Sequence, residues 1–286
     1  MRVYKNIYPG LLSLFFITIT CKDTAQYKTP AGYDINKPEK FVMNQALHEI
    51  SGITFIEGKR DTLFAIEDEN GKLFTLSLGS EYLSHSKFAK KGDFEDVAVL
   101  NSTTVSVLRS DGSLFLFPVS EIGKPKIDSV HEYDSILPAG EYEGLSADGE
   151  NLFALCKNCM ADNEKTEVSV YKLQGDSAGI LTVAGSQKID LSGINPEDIK
   201  GKGKGKFHPS CMAKNPVTHE WFIVSSVNKL LVVLDELWKV KEVYPLNPSL
   251  FKQPEGITFN DKGDLYISNE GGDGVANILL FRYQKQ

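Results

Sequence analysis

The sequence repeats one short motif five times, and this repetition constrains the fold more than any other feature. Each copy has a polar residue, any residue, Ser or Glu, a small or acidic residue, and then an aliphatic and a small residue. The copies are HEISGITF (48–55), DFEDVAV (93–99), EYEGLSA (141–147), HPSCMAK (208–214) and QPEGITF (253–259). Their Ser or Glu positions are separated by 44, 48, 67 and 45 residues. A period near ~45 residues is typical of a repeat architecture.

Each copy is followed by further strand-like segments, so every repeat is an antiparallel β unit. Second strands are predicted in LFAIEDEN (63–70), TVSVLRSD (104–111), LFALCKNC (152–159), WFIVSSVN (221–228) and LYISNEGG (265–272). Third strands are predicted in KLFTLSL (72–78), SLFLFPV (113–119), VSVYKLQ (168–174), LLVVLDE (230–236) and NILLFRY (277–283). Turn pairs such as Asn70-Gly71 and Asp111-Gly112 separate them. Helical periodicity is scarce, so the predicted fold is all-β.

A fourth, outer strand fits the first four repeats, for example SVHEYDS (129–135) and VKEVYPL (240–246). The fifth repeat leaves no residues for one, but KFVMNQAL (40–47) precedes the first copy. We therefore predict a five-bladed β-propeller over residues 38–286, in which the N-terminal strand closes the last blade. Closure hides sheet edges that would otherwise aggregate.

Two other architectures explain the pattern less well. A β-sandwich does not account for one motif at a fixed period. A sixth blade needs another copy, and the long gap between Glu143 and Ser210 holds the turn-rich segments 161–167 and 190–207 instead. We expect these segments to be an insertion on the outer strand and connection of the third blade.

The motif copies resemble the SdiA-regulated family of bacterial exported proteins, which are distant relatives of NHL-repeat propellers. The resemblance is carried by EISGI (49–53), GDFEDVAV (92–99), EYEGLS (141–146), HPS (208–210) and QPEGITF (253–259), and it covers about residues 38–286. It implies a five-bladed propeller with a calcium site and no established biochemical activity.

The acidic residues of the motif are predicted to form a ring. In a propeller, the starts of the first strands and the ends of the second strands meet at one mouth of the central channel. The ring positions are Ser51, Glu95, Glu143, Ser210 and Glu255. Two carboxylates ~5 Å apart repel by roughly 3 kcal/mol at an effective dielectric of ~20. Three of them must therefore be protonated, hydrated or bound to a cation.

Calcium is the cation that best fits this ring, because it accepts six to eight oxygen ligands in flexible geometry. We expect Glu95, Glu143 and Glu255 to bind it, with Ser51 and Ser210 beside them. Further polar residues of the motif copies are expected around the mouth: Glu49, Asp93, Asp96, Glu141 and His208. The alternative is that the glutamates only accept hydrogen bonds from the backbone of neighbouring blades.

The N-terminus has the layout of a secretory signal. Arg2 and Lys5 precede a short apolar run, and Cys21 follows it directly. This arrangement resembles the bacterial lipoprotein signal, in which the Cys becomes lipidated. We expect a signal peptide at 1–20, a tether at 21–37 and a protein anchored by lipid in the bacterial cell envelope. Ordinary cleavage is the alternative, because Thr20 stands where lipoproteins prefer Gly, Ala or Ser.

Three other cysteines remain, Cys156, Cys159 and Cys211. In an exported protein, the CxxC spacing of Cys156 and Cys159 favours a local disulfide or a thiol pair. A zinc site would need a second pair of ligands, for which only Cys211 and His208 are available.

Charge excludes nucleic acid as a partner. The formal net charge is −7, and removing Arg2 and Lys5 with the signal peptide makes it −9. Two functions remain. The first is a monomeric calcium-binding propeller that presents its channel mouth to a small molecule or protein. The second is a calcium-dependent hydrolase of lactonase or phosphoesterase type, with Asp93, Glu141 or His208 as acid or base. The sequence does not decide whether the protein is an enzyme.

Overall fold

The computed structural model describes Met1 and residues 26–56, 62–176, 180–199 and 205–285. In this part of the chain, five four-stranded antiparallel sheets form the blades of a propeller. The first two blades are β2 (Ile50–Phe55), β3 (Leu63–Glu67), β4 (Asn70–Leu76) and β5 (Leu83–Lys91), then β6 (Phe94–Leu100), β7 (Thr104–Arg109), β8 (Leu114–Pro118) and β9 (His131–Tyr133). The prediction of an all-β, five-bladed fold is confirmed.

The third and fourth blades follow the same strand order. They are β10 (Gly140–Asp148), β11 (Asn151–Cys159), β12 (Glu167–Gly175) and β13 (Leu181–Asp190), then β14 (Cys211–Lys214), β15 (Trp221–Ser225), β16 (Leu230–Leu234) and β17 (Val240–Pro245). Residues 160–166 connect β11 to β12, so this part of the expected insertion lies between the second and third strands and not on the outer strand. The segment after Asp190 begins with a 3-10 helix, Leu191–Gly193. The long gap therefore holds no sixth sheet among the described residues.

The fifth blade closes the ring. It combines β18 (Pro254–Phe259), β19 (Leu265–Asn269) and β20 (Asn277–Phe281) with β1 (Glu39–Val42) from the N-terminus. Glu39 lies opposite Leu280 and Val42 opposite Asn277 in the antiparallel register. The closing strand is shorter than predicted, because Gln45–Leu47 forms a 3-10 helix capped by the side chain of Asn44. A second short 3-10 helix, Val119–Glu121, follows β8.

The small fourth position of the motif has a steric cause. A Cβ atom on Gly52 would lie 2.6 Å from the Cα of Asp96 in the next blade, and one on Gly256 would lie 2.4 Å from the carbonyl oxygen of Ser51. The inner strands thus approach one another too closely for a side chain at these points. In the second blade Asp96 takes the same position and accepts a hydrogen bond from the Leu145 amide of the third blade, at 2.7 Å.

The hydrophobic core consists of five clusters, each between two neighbouring blades. The cluster between the last and first blades includes Ile278 and Leu280 from β20 with Leu47, Ile53 and Phe74. Burial of such side chains stabilises the protein by roughly 1.5–3 kcal/mol each. Packing between blades, together with the closing strand, therefore makes the ring one cooperative body.

The described segment that precedes β1, from residue 26, packs against the propeller. Tyr33 is buried, donates a hydrogen bond to the Gly263 carbonyl at 2.6 Å and accepts one from the Asn215 side chain at 2.8 Å. Lys28 forms an ion pair with Glu242 of β17 at 2.7 Å. Within the described ranges, no helix has the length and apolar character needed to cross a membrane.

Candidate binding site at the channel mouth

The five predicted ring positions line one cavity of about 580 Å³. They are Ser51, Glu95, Glu143, Ser210 and Glu255. Four of them start or lie within an inner strand, and Ser210 directly precedes β14. The topology thus brings together residues that are up to about 200 positions apart in the sequence.

The glutamates enter the cavity because each occupies a β-bulge. The ladder between β6 and β7 shifts register between Phe94 and Asp96, which leaves Glu95 as the extra residue. Corresponding shifts surround Glu143 in β10 and Glu255 in β18. A bulge redirects a side chain and leaves its residue out of the regular pairing. The period-2 pattern of a regular strand could not reveal this geometry.

A second ring of side chains surrounds the first. Its members lie at or near the ends of the second strands: Asp68, Ser110, Ser226 and Glu270 directly follow β3, β7, β15 and β19, and Lys157 lies within the last three residues of β11. Four of these, all except Ser110, line the cavity. Ser110 instead donates a hydrogen bond to the Asp93 carboxylate at 2.6 Å, and Asp93 itself lines the cavity.

Lys157 is one of the lining residues that the sequence did not predict, together with Ser226, Lys229 and Lys252. Its Nζ donates to Oε1 of Glu143 at 2.6 Å and to Oε1 of Glu141 at 3.0 Å. Burial alone would lower the pKa of Lys157, but the two carboxylates raise it above its ordinary value. The signal available in the sequence was its alignment with Asp68 and Glu270 at the end of the second strand.

The acidic side chains that line the cavity have raised pKa values. Burial, reinforced by the charge of Glu143, raises the pKa of Glu255 to about 7. Burial also raises the pKa values of the Glu95 and Glu143 carboxyls, and the nearby Asp93 adds to both shifts. Burial and the charges of Glu49 and Glu270 raise the pKa of Asp68 to about 7. Lys157 compensates only part of this negative charge, because the pKa values of these carboxyls stay raised beside it, so the cavity favours a proton or another cation.

The other predicted mouth residues lie in different surroundings. Asp96 is buried and accepts hydrogen bonds from the Val97 and Leu145 amides. The hydrogen bond to the backbone of a neighbouring blade, which was the alternative role for the glutamates, is thus made by Asp96. Glu49 acts on the cavity through its charge near Asp68. His208 is not among the residues lining the cavity, and its amide donates to the Asn228 side chain at 2.9 Å.

The cysteines form one disulfide in the described part of the chain. Cys156 and Cys159 are bonded to each other and pack against Gly140, so the disulfide spans Lys157 within β11. Cys211 is a buried thiol, and burial raises its pKa. Cys21 and the signal segment after Met1 lie outside the described residues.

The carboxylate and hydroxyl oxygens of the two rings match calcium in chemistry, whereas the ammonium of Lys157 does not. No three His, Cys, Asp or Glu side chains in the described ranges are already placed to hold a metal ion. Calcium binding at the inner ring therefore requires side-chain movement, including release of Glu143 from Lys157.

Comparison with known proteins supports the fold. The profile of the SdiA-regulated family matches residues 27–272. A luciferin-regenerating enzyme has a similar structure, with 8% identity, a TM-score of 0.51, and coverage of 86% of this chain and 95% of that one. This likeness supports the fold alone.

Two further solved structures have lower scores. A streptogramin B lyase has 15% identity and a TM-score of 0.44, and the match covers 87% of this chain and 74% of that one. A protein of unknown function from Bacteroides thetaiotaomicron has 12% identity and a TM-score of 0.47, with coverage of 85% and 60%. A search of curated proteins gave no match.

Proposed function

The chain belongs to the SdiA-regulated family, and from that premise we propose that it is a ligand-binding propeller whose channel mouth is stabilised by calcium. The observation that supports this proposal is the convergence of five ring positions from five blades on one cavity. Three of these positions carry glutamates whose pKa values are raised by burial. A bound divalent cation would replace protons there and remove the repulsion among the carboxylates.

The residues that would hold the ion are Glu95, Glu143 and Glu255, with the hydroxyls of Ser51 and Ser210 as neutral oxygen donors. Calcium would supply charge neutralisation and would tie blades together across the channel. When Glu143 turns toward the ion, Glu141 keeps the Lys157 ammonium paired, since the two already form an ion pair at 3.0 Å.

Binding is preferred to hydrolysis because of the surroundings of the candidate acids and bases. Glu141 is engaged by Lys157, and His208 does not line the cavity. Only Asp93 combines a place on the cavity wall with a hydrogen-bond partner that orients it, Ser110. Calcium-dependent hydrolysis stays a hypothesis that rests on this single residue.

We further propose that the protein is exported, anchored in the cell envelope through lipid on Cys21, and monomeric. The support is the order of charges, apolar run and cysteine at the N-terminus. The propeller then reaches the membrane through its anchor alone.

The calcium proposal is tested by thermal unfolding of the mature chain with excess calcium and with a chelator. A ligand that binds only the folded state at a hundredfold excess over Kd stabilises it by about 2.7 kcal/mol. The double substitution Glu143→Gln and Glu255→Gln should abolish the calcium-dependent rise in Tm. The matched control is Glu197→Gln with Glu236→Gln, two exposed glutamates, which should leave the rise intact. A wild-type Tm that is the same in excess calcium and in chelator would rule out the calcium site.

A further inference from the structure

The cavity at the channel mouth has charges of both signs on different walls. Among the described residues, six carboxylates line it: Asp68, Asp93, Glu95, Glu143, Glu255 and Glu270. Two lysines, Lys229 after the second strand of the fourth blade and Lys252 before the fifth, line the wall between those blades. The Nζ of Lys229 donates to the carbonyl of Lys252 at 2.6 Å, which holds this basic wall together.

The acidic wall already binds an ammonium group. Lys157 places its Nζ between Glu141 and Glu143, with two charge-assisted hydrogen bonds. The pairing shows that carboxylates on this side of the channel mouth can hold a primary ammonium group. Such bonds are roughly twice as strong as neutral ones.

A second acceptor on this wall lacks a donor. The Oδ1 atom of Asp68 is buried and has no hydrogen-bond partner within the part of the chain that the structure describes. Its carboxylate lies near the charges of Glu49 and Glu270, which repel it. Burying an acceptor without a hydrogen-bond partner is unfavourable. Asp68 lines the cavity, so a cationic group of a ligand beside its carboxylate would offset this repulsion.

We propose that the cavity binds a small zwitterion, a molecule with a primary ammonium group and a carboxylate, as in an amino acid or a short peptide. Its ammonium binds Asp68 and its carboxylate binds Lys229 and Lys252. This inference rests on the proposed role of the channel mouth as a binding site, and it names the class of ligand. The cavity of about 580 Å³ has the size of known small-molecule sites.

A ligand of a single charge does not match both walls. A simple amine leaves the lysines unused, and a simple carboxylate meets a cavity in which six carboxylates outnumber the three lysines Lys157, Lys229 and Lys252. In a zwitterion, the ammonium group pairs with the acidic wall and the carboxylate pairs with the lysines of the basic wall. We therefore expect the affinity to depend on the presence of both groups.

The test is calorimetric titration of the mature chain, in chelator, with 4-aminobutyrate, 6-aminohexanoate and diglycine. Butylamine and butyrate serve as probes with one charge each. At least one zwitterion should bind at least tenfold more tightly than either. Binding of butylamine as tight as that of the best zwitterion, or binding of none of the probes, would overturn the proposal.

Substitutions locate the two ends of the ligand. Asp68→Asn keeps the size of the side chain, and Lys252→Met keeps most of its apolar length. Each should weaken zwitterion binding at least tenfold, whereas Lys126→Met, at an exposed lysine of the second blade, should not change it. Unchanged affinity in either Asp68→Asn or Lys252→Met would contradict the assignment.

The calcium proposal and the zwitterion proposal fail in different ways. If the chain binds a zwitterion in chelator but its Tm does not change with calcium, the zwitterion site is supported and the calcium site is excluded. A chain that responds to calcium but binds no zwitterion would exclude this inference alone.

Discussion

The ammonium of Lys157 lies 2.6 Å from a carboxylate oxygen of Glu143. The lysine lies in β11 between the two disulfide-bonded cysteines, and the glutamate occupies a bulge in β10. The third blade thus contributes both a negative charge to the inner ring and the positive charge that partly balances it. This pairing determines how the channel mouth responds to mutation and to pH.

Replacing Lys157 with Met should leave Glu143 buried without its partner. Breaking a buried pair in this way costs about 3–5 kcal/mol, so we expect the free energy of unfolding at pH 8 to fall by about that amount. The loss should shrink at pH 5, where Glu143 is protonated. Chemical denaturation at both pH values measures the effect.

The control is Lys241→Met, which removes a more exposed ion pair with Glu220. It should change stability by less than about 1 kcal/mol. Equal effects of the two substitutions would show that Lys157 makes no special contribution at the channel mouth.

The metal-free protein should become less stable as the pH rises. The pKa of Glu255 is raised from 4.5 to about 7 in the folded state. The folded protein therefore holds this proton more tightly than the unfolded chain, so its stabilising effect is complete below pH ~4.5 and is lost as the pH rises through ~7. Asp68, whose pKa is also about 7, acts in the same direction.

Melting curves in chelator between pH 5 and pH 8 measure this loss. We expect Tm to fall by about 5 °C or more across the window. Glu143→Gln with Glu255→Gln should flatten the dependence, because the substituted side chains do not titrate. A Tm that rises over this range in the wild type would contradict the protonation scheme.

Deleting residues 38–48 should leave the last blade with three strands. The backbone pairing of β1 with β20 and the contacts of Phe41 and Leu47 with the core would be lost. Because total stabilities are about 5–15 kcal/mol, a loss of several kcal/mol should lower Tm markedly. Val42→Ala is the control, since Val42 is 64% exposed. A deletion variant that melts like the intact chain would refute the role of the closing strand.

Lipidation of Cys21 should be visible by metabolic labelling with a fatty-acid analogue in a bacterial host. The wild-type chain should carry the label and fractionate with membranes, and Cys21→Ala should lose both properties. Cys211→Ala should keep the label, because Cys211 is buried in the propeller. A soluble, unlabelled wild-type protein would disprove the anchor.

The fold could be predicted from the sequence because each blade repeats the same local pattern. The number of motif copies predicted the number of blades, and the extra strand at the N-terminus predicted how the last blade is completed. The details of the mouth were less accessible. A bulge such as that at Glu95 depends on pairing with β7 and leaves no mark in the periodicity. Asp96 adjoins Glu95 in the sequence, yet its side chain bonds to the next blade, because the bulge separates the directions of the two side chains.

Lys157 could not be assigned from its own neighbourhood, since an isolated lysine between two cysteines is usually solvated. Its role depends on the distance from Glu143, which only the assembled blade fixes. The basic wall formed by Lys229 and Lys252 likewise joins two loops 23 residues apart. The charge pattern at the channel mouth can therefore be interpreted only once the blades are arranged in a ring.

The docking of the segment around Tyr33 has a mechanical consequence. A pull from the N-terminal side reaches the Lys28–Glu242 ion pair and the buried Tyr33 before it reaches β1. These contacts join the segment to the fourth and fifth blades. The two blades therefore share the applied force, and β1 bears only the part of the force that these contacts do not. Tension on the N-terminus would then strain the outside of the ring first, while the channel mouth keeps its shape.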